Sequence, residues 1–483
     1  MSYILAIDQS TSGTKALLFD GDGAIVRRRD FAHEQKINDR GWVSHDPEEI
    51  YRNTIKAARA VVEESGVERS AIVGIAISNQ RETALAWDKA TGRPLCDAVV
   101  WQCGRGQAIC DRLADKAEAV QIKTGLPLSP YFSAAKLAWI LEQHPAPADA
   151  ICAGTMDSWL VWKLTGGKVF ATDYSNASRT QLFHIGDLAW DEELCRWFGV
   201  PVQALPKVRD SNGHFGETDL EGLLPAAVPI HGVMGDSHGA LFGQGCHRPG
   251  MAKTTYGTGS SIMMNTGSTP IYSKNGLATS LAWGMDGTVD YVLEGNINYT
   301  GAVIQWLVED MKLLGSSKEA GPVAASANQA DETCLIPAFT GLGAPYWNAG
   351  ARAMLWGMSR STGRAEIVKA AEECIALQIA DVVKVMQAEA ATEDLTLRLD
   401  GGPTKDAYLM QLQSDMLQME TQVSQVEELS ATGAAYAAGM ALGLYTAQVF
   451  GCVTHKTYAP HMDKDRRDAK YANWNRAIAV LNR

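Results

Sequence analysis

Two short stretches, one in each half of the chain, share the order apolar strand, turn of Ser, Thr and Gly, apolar strand. The first is Asp8-Gln9-Ser10-Thr11-Ser12-Gly13-Thr14-Lys15, set between Ile4 to Ile7 and Ala16 to Phe19. The second runs from Ala252 through Tyr256-Gly257-Thr258-Gly259-Ser260-Ser261 to Asn265. Turns of this composition aim backbone N–H groups and hydroxyls at one point, and an acid ending the incoming strand holds a cation there. That suits a polyphosphate with its Mg²⁺. An isolated turn of this kind reads first as an ordinary polar hairpin. As a pair, they point to two related domains, each offering a phosphate loop to a shared cleft.

The chain has 483 residues, long for a single core, which also favours two large domains. No stretch approaches the roughly 20 uninterrupted apolar residues of a membrane helix. The first residues, Met1 to Asp8, lack a basic region and meet an acid too early for a signal peptide, so a cytoplasmic protein is expected. A net charge of −12 without a basic stripe disfavours nucleic acid as a partner. The nine cysteines are scattered, with no Cys-x-x-Cys, and read as free thiols.

Strand-like and helical blocks alternate along the chain. Asp46-Pro47-Glu48-Glu49-Ile50 starts a helix with an N-cap, a proline at the first position and acids in the first turn, and Gly66 ends it. Its buried face is Ile50, Ile55, Ala58 and Val62. Strands are expected over 71–78, 83–87 and 97–101, and helices over 133–143 and 157–164. Gly243 to Gly250 is the best domain boundary, dividing the chain into 1–246 and 247–483. Beyond it the order repeats, with strands near 252–266 and 278–293, helices over 300–315 and 364–390, and a small-residue helix over 431–444.

Longer motifs carry a resemblance. They are Gly41-Trp42-Val43-Ser44-His45-Asp46-Pro47, Asn79-Gln80-Arg81-Glu82-Thr83, Thr172 to Thr180, Gly235-Asp236, Tyr256-Gly257-Thr258-Gly259, Gly341 to Trp347 and Asp400-Gly401-Gly402. Together with the first turn, they resemble the FGGY carbohydrate kinases over nearly the whole length, nearest the glycerol kinase branch. The resemblance implies an α/β fold of two duplicated actin/hexokinase-like (ribonuclease H-like) domains with the active site in the interdomain cleft. It also implies ATP as donor, a small polyol or sugar as acceptor, and a homodimer or tetramer.

Residue roles follow from the resemblance and from what phosphoryl transfer demands, which is positioning and charge neutralisation. Asp236 ends the apolar segment 228–235. There it serves as base toward a primary hydroxyl and as a second metal-side acid, although an acid at this place also caps the following helix. Asp8 is assigned to Mg²⁺, through water. Thr11, Ser12 and Lys15 would face the phosphates, with Gly257 and Thr258 opposite. Gly301, Gln305 and Gly402 match nucleotide-site positions. Asp406 follows a Pro-Thr-Lys segment that departs from the family's Asn-containing pattern, and is placed on the adenine side.

Arg81 and Glu82 can donate to and accept from adjacent hydroxyls; outside the motif they would read as a solvated surface pair. Trp101 and Tyr131 match substrate-pocket positions, with plain core packing as the other reading of Trp101. Ser237 stands where glycerol kinases carry Gln, and Ser261 replaces an aromatic that would cover the carbon chain. Both changes widen the pocket and make it more polar. Hence a polyol or ketopentose of four or five carbons competes with glycerol as acceptor. An actin- or chaperone-like ATPase is the alternative of another class; the set Arg81, Glu82, Trp101 and Asp236 discriminates against it, because such a protein has no need of those residues.

Overall fold

Both turns form between paired strands in the structure, a computed structural model that describes residues 1–348, 350–392 and 394–481. Tyr3–Gln9 pairs antiparallel with Gly13–Phe19, placing Asp8 opposite Lys15. Met251–Tyr256 pairs antiparallel with Ser260–Gly267, placing Thr255 opposite Ser261.

Each turn belongs to a mixed sheet of the same order. In the first, Ile25–Ala32, Gly13–Phe19 and Tyr3–Gln9 run antiparallel, and Ile72–Asn79 and Val228–Gly235 then add in parallel. Thr288–Ile297, Ser260–Gly267 and Met251–Tyr256 repeat the antiparallel set in the second, followed by parallel Thr396–Gly401 and Thr421–Ser424. A helix crosses from the third strand to the fourth in both, Pro47–Ser65 in the first half and Arg364–Glu389 in the second. The duplication is therefore one of topology as well as of motif.

Local chemistry sets the first crossover helix as its sequence implies. The Asp46 side chain accepts from the Glu48 N–H, Pro47 opens the first turn, and Gly66 ends the helix at φ 71°. Ile50, Ile55, Ala58 and Val62 are buried against the sheet. One expected strand is cut short, because only Ala98–Val99 of 97–101 pairs. The backbone leaves the ladder there: the Cys103 N–H donates to the Val100 carbonyl, and the Trp101 N–H donates to the Thr83 hydroxyl. Ala98–Val99 and Ala84–Asp88 also lie outside the main sheet. They belong to a separate antiparallel layer with Lys36–Ile37, Val43–His45 and Ile151–Thr155.

Two helices that follow the parallel strands, Asp236–Gly243 and Leu429–Ala441, join the halves. They touch backbone to backbone. A Cβ on Gly239 would lie 2.7 Å from the Ser430 carbonyl oxygen, one on Gly243 2.5 Å from that of Leu429, and one on Gly433 would run into that of Gly239. Gly433→Ala is therefore expected to cost about 1–3 kcal/mol, since two backbones would have to part. Thermal unfolding checks this against Gly451→Ala, where the added Cβ meets open space.

Candidate active site

Asp8, Lys15, Asp236, Thr255, Asp400 and Glu428 all reach one polar cavity of about 840 Å³ between the two sheets. Pairing brings Asp8 to the end of its strand. Asp236 opens the helix after Val228–Gly235, its carboxylate about one-third exposed and its Oδ1 accepting from the Ser237 N–H at 2.6 Å. Asp8 is buried, and burial pushes its carboxyl up to about 6, with Lys15 opposing the shift and the nearby Glu428 and Asp236 adding to it. Its Oδ1 has no hydrogen-bond partner among the described residues. Such a carboxylate, set near other acids, fits the hard-oxygen donor set of a hydrated divalent cation.

Lys15 is already engaged: its Nζ lies 2.5 Å from Glu428 Oε2 and 3.8 Å from Asp8 Oδ2. Arg28 also reaches Glu428, at 2.5 Å. Glu428 holds a left-handed backbone, φ 60°, just before Leu429–Ala441. The first turn thus meets the second domain through one acid that sequence reading missed. Thr11 accepts the Trp101 indole N–H at 2.9 Å, and Ser12 is exposed.

At the other side of Asp236 lies a buried charge network. Arg81 Nε stands 3.3 Å from Asp236 Oδ1, while its two terminal nitrogens donate to the Glu294 carboxylate at 2.9 and 2.8 Å. Arg179 approaches Glu294 at 2.8 Å and donates through Nε to Glu82 at 2.6 Å. Burial would raise the Glu294 carboxyl, but the two guanidiniums hold it well below the usual carboxylate range. Glu82 sits at φ 59°, unusual for a side-chain-bearing residue and costly unless its surroundings fix it. The Trp101 and Tyr131 rings meet edge to face at 5.5 Å over this network. Ser261 lies 3.4 Å from Nζ of the buried Lys253, which also donates to Thr255 at 2.9 Å. Burial lowers the pKa of that lysine, and the nearby Asp400 partly offsets the effect.

A second cavity, of about 960 Å³, adjoins the first at Gly402, which lines both. Ile304, Val308, Pro322, Ala325, Ile375 and Leu409 give it apolar walls. Gly257, Thr258, Gly301, Gln305, Gly402 and Asp406 all lie on its surface. The second turn is fixed by the Gly301 N–H, which donates to the Gly257 carbonyl at 2.9 Å; a Cβ on Gly301 would stand 2.8 Å from that oxygen. Two of the polar side chains are spoken for. Gln305 donates to Glu309, and Asp406 caps Ala407–Leu417 through the Tyr408 N–H while accepting from the Gly321 N–H at 3.0 Å. Asp406 is thus at the cavity, but its carboxylate is committed to backbone.

Two duplicated domains, an acid pair in the cleft and an apolar chamber beside it define a kinase of small hydroxylated molecules. Residues 3–243 match the N-terminal domain of the FGGY family of carbohydrate kinases and residues 252–442 match its C-terminal domain, so the chain belongs to that family. It is an ATP-dependent sugar or polyol kinase. The chain is 45% identical to glycerol kinase 1 of Thermotoga maritima, with 99% of both chains covered. It is 43% identical to the glycerol kinase of Carboxydothermus hydrogenoformans, covering 99% of this chain and 97% of that one. Plasmodium falciparum glycerol kinase with ADP superposes with a TM-score of 0.93 at 34% identity, covering 100% of this chain and 98% of that one. A xylulose kinase from Lactobacillus acidophilus, at TM-score 0.89 and 19% identity, shares the fold.

Sequence reading assigned no role to Glu294, Arg179, Lys253 or Glu428. A signal for the first was present: an acid inside the run Tyr291-Val292-Leu293-Glu294 of a buried strand needs a cationic partner. For Glu428 there was none, because a left-handed Glu before a helix looks like any loop acid.

Proposed function

We propose that the chain moves the γ-phosphoryl group of ATP to a primary hydroxyl of a polyol, with Asp236 as general base. One observation carries this reading: Asp8 and Asp236 converge on a single cavity that opens into the apolar chamber. Asp236 accepts the proton of the attacking hydroxyl on its exposed carboxylate, while Arg81, clamped by Glu294, fixes the direction of that carboxylate. Glu82 and Arg81 orient neighbouring hydroxyls, and Trp101 with Tyr131 shields them from water. Mg²⁺, when bound beside Asp8, neutralises phosphate charge. The apolar chamber takes the nucleoside. Free thiols at all nine cysteines accord with a cytoplasmic setting.

Glycerol is the acceptor that the relatives named above support. Acceptors of four or five carbons form a second reading, favoured by Ser261, whose hydroxyl leaves the pocket wall polar next to Lys253. ADP release with polyols and ketoses of three to six carbons tests the choice. Ser261→Phe is expected to lower kcat/KM for the longer acceptors by about 10-fold relative to glycerol, since a ring would fill the space they use. Equal discrimination by both proteins would leave glycerol alone as the acceptor.

A further inference from the structure

Among the residues lining the apolar chamber, Glu372 is out of character. It lies on the helix Arg364–Glu389, 1% exposed, yet its side chain makes no hydrogen bond or ion pair with any described residue. Its Oε2 is buried and unpartnered. Leaving a buried carboxyl unpaired costs stability unless something bound there supplies the missing contacts. Its neighbours do not. Ile375 on the same helix is apolar, and across from it Asp406 is another acid whose oxygens already accept backbone N–H groups.

We propose that Glu372 reads the nucleobase of the donor as a neutral acid, pairing its O–H and carbonyl with N1 and the 6-amino group of adenine. The inference rests on the nucleoside occupying this chamber. A protonated carboxyl offers one donor and one acceptor side by side. The pairing edge of adenine offers an acceptor, N1, beside a donor, the amino N–H, so the two match. Guanine presents donors at both N1 and its 2-amino group, which only an ionised carboxylate would satisfy. Burial, with a smaller contribution from Asp406, pushes the Glu372 carboxyl up to about 8, so the neutral form prevails at neutral pH. The groups facing the chamber are mixed in sign. Asp406 and Tyr408 come from the far helix and its cap, Lys405 from just before it, and Glu309 and Lys318 from the rim.

Steady-state kinetics and calorimetric ADP binding test the assignment. With Glu372→Leu, KM for ATP is expected to rise about 10-fold or more with kcat retained, because a base contact made in both ground and transition state is lost. Purine riboside triphosphate, which lacks the 6-amino group, should be discriminated against by the native protein and not by Glu372→Leu. Glu372→Gln, an isostere that keeps a donor beside an acceptor, should hold KM near the native value. Above about pH 8, KM should rise for the native protein and stay flat for Glu372→Gln. Unchanged KM in Glu372→Leu, equal discrimination by both proteins, or a native preference for GTP would overturn the proposal. Ala325→Trp separates its failure from that of the nucleoside site. Ala325 is exposed and lines the chamber but not the polar cavity, so an indole there should narrow the chamber and raise KM for ATP. No effect there would remove the nucleoside from the chamber, whereas an effect there with none at Glu372 would reject base reading alone.

Discussion

Asp236→Asn is expected to bind nucleotide and acceptor with near-native constants and to turn over at least about 10²-fold more slowly, the usual range for removal of a general base. The amide keeps the size of the side chain and leaves an oxygen to accept from the Ser237 N–H and from Arg81. It cannot take up a proton. Loss therefore falls on kcat, and single-turnover phosphoryl transfer measured beside calorimetric binding separates the two. Native turnover by this variant would end the assignment of Asp236.

Glu294→Gln should have the second largest effect, and on two readouts together. The carboxylate of Glu294 is shared by Arg81 and Arg179, and all three side chains are buried. Neutralising it leaves two buried guanidiniums facing one another with Glu82 and the outlying Asp236 to balance them. Removal of one partner from a buried ion pair costs about 3–5 kcal/mol, chiefly the penalty of the charge left behind. A drop in the thermal midpoint is the first readout. The second is kcat/KM for the polyol, which should fall because Arg81 loses the clamp that aims it at Asp236. A variant as stable as the native protein would show that Arg179 and Arg81 find other counter-charges.

Local signals in the chain foretell much of this architecture. The Asp46 cap, Pro47 and Gly66 bound the first crossover helix to the residue, and the two Ser/Thr/Gly turns mark equivalent strand pairs. Six positions assigned to the nucleotide from the second half of the chain share one cavity wall. What escaped has more than one cause. Glu294 pairs with Arg81 213 positions away and Arg179 with Glu82 97 positions away, separations that sequence spacing does not reveal, while Lys253 bonds within its own hairpin and is hidden by its burial instead. The short strand Ala98–Val99 was overdrawn because Trp101 has high strand preference, yet its N–H is taken by the Thr83 side chain. Lys15 shows a related limit: it lines the cavity beside Asp8, but its engagement with Glu428 across the cleft has no signal in the sequence.

The glycine seam between Asp236–Gly243 and Leu429–Ala441 bears on how such a molecule would open. Main chain pressed on main chain leaves few side chains to repack at the seam, so a motion that kept these contacts would be a roll about it. Asp236 sits at the first turn of one pivoting helix and Glu428 just before the other. Points near an axis travel little while distant ones sweep wide arcs. Reactive groups would therefore keep their alignment as the outer lips part, and exchange of ATP for ADP would leave the attacking geometry ready for the next acceptor.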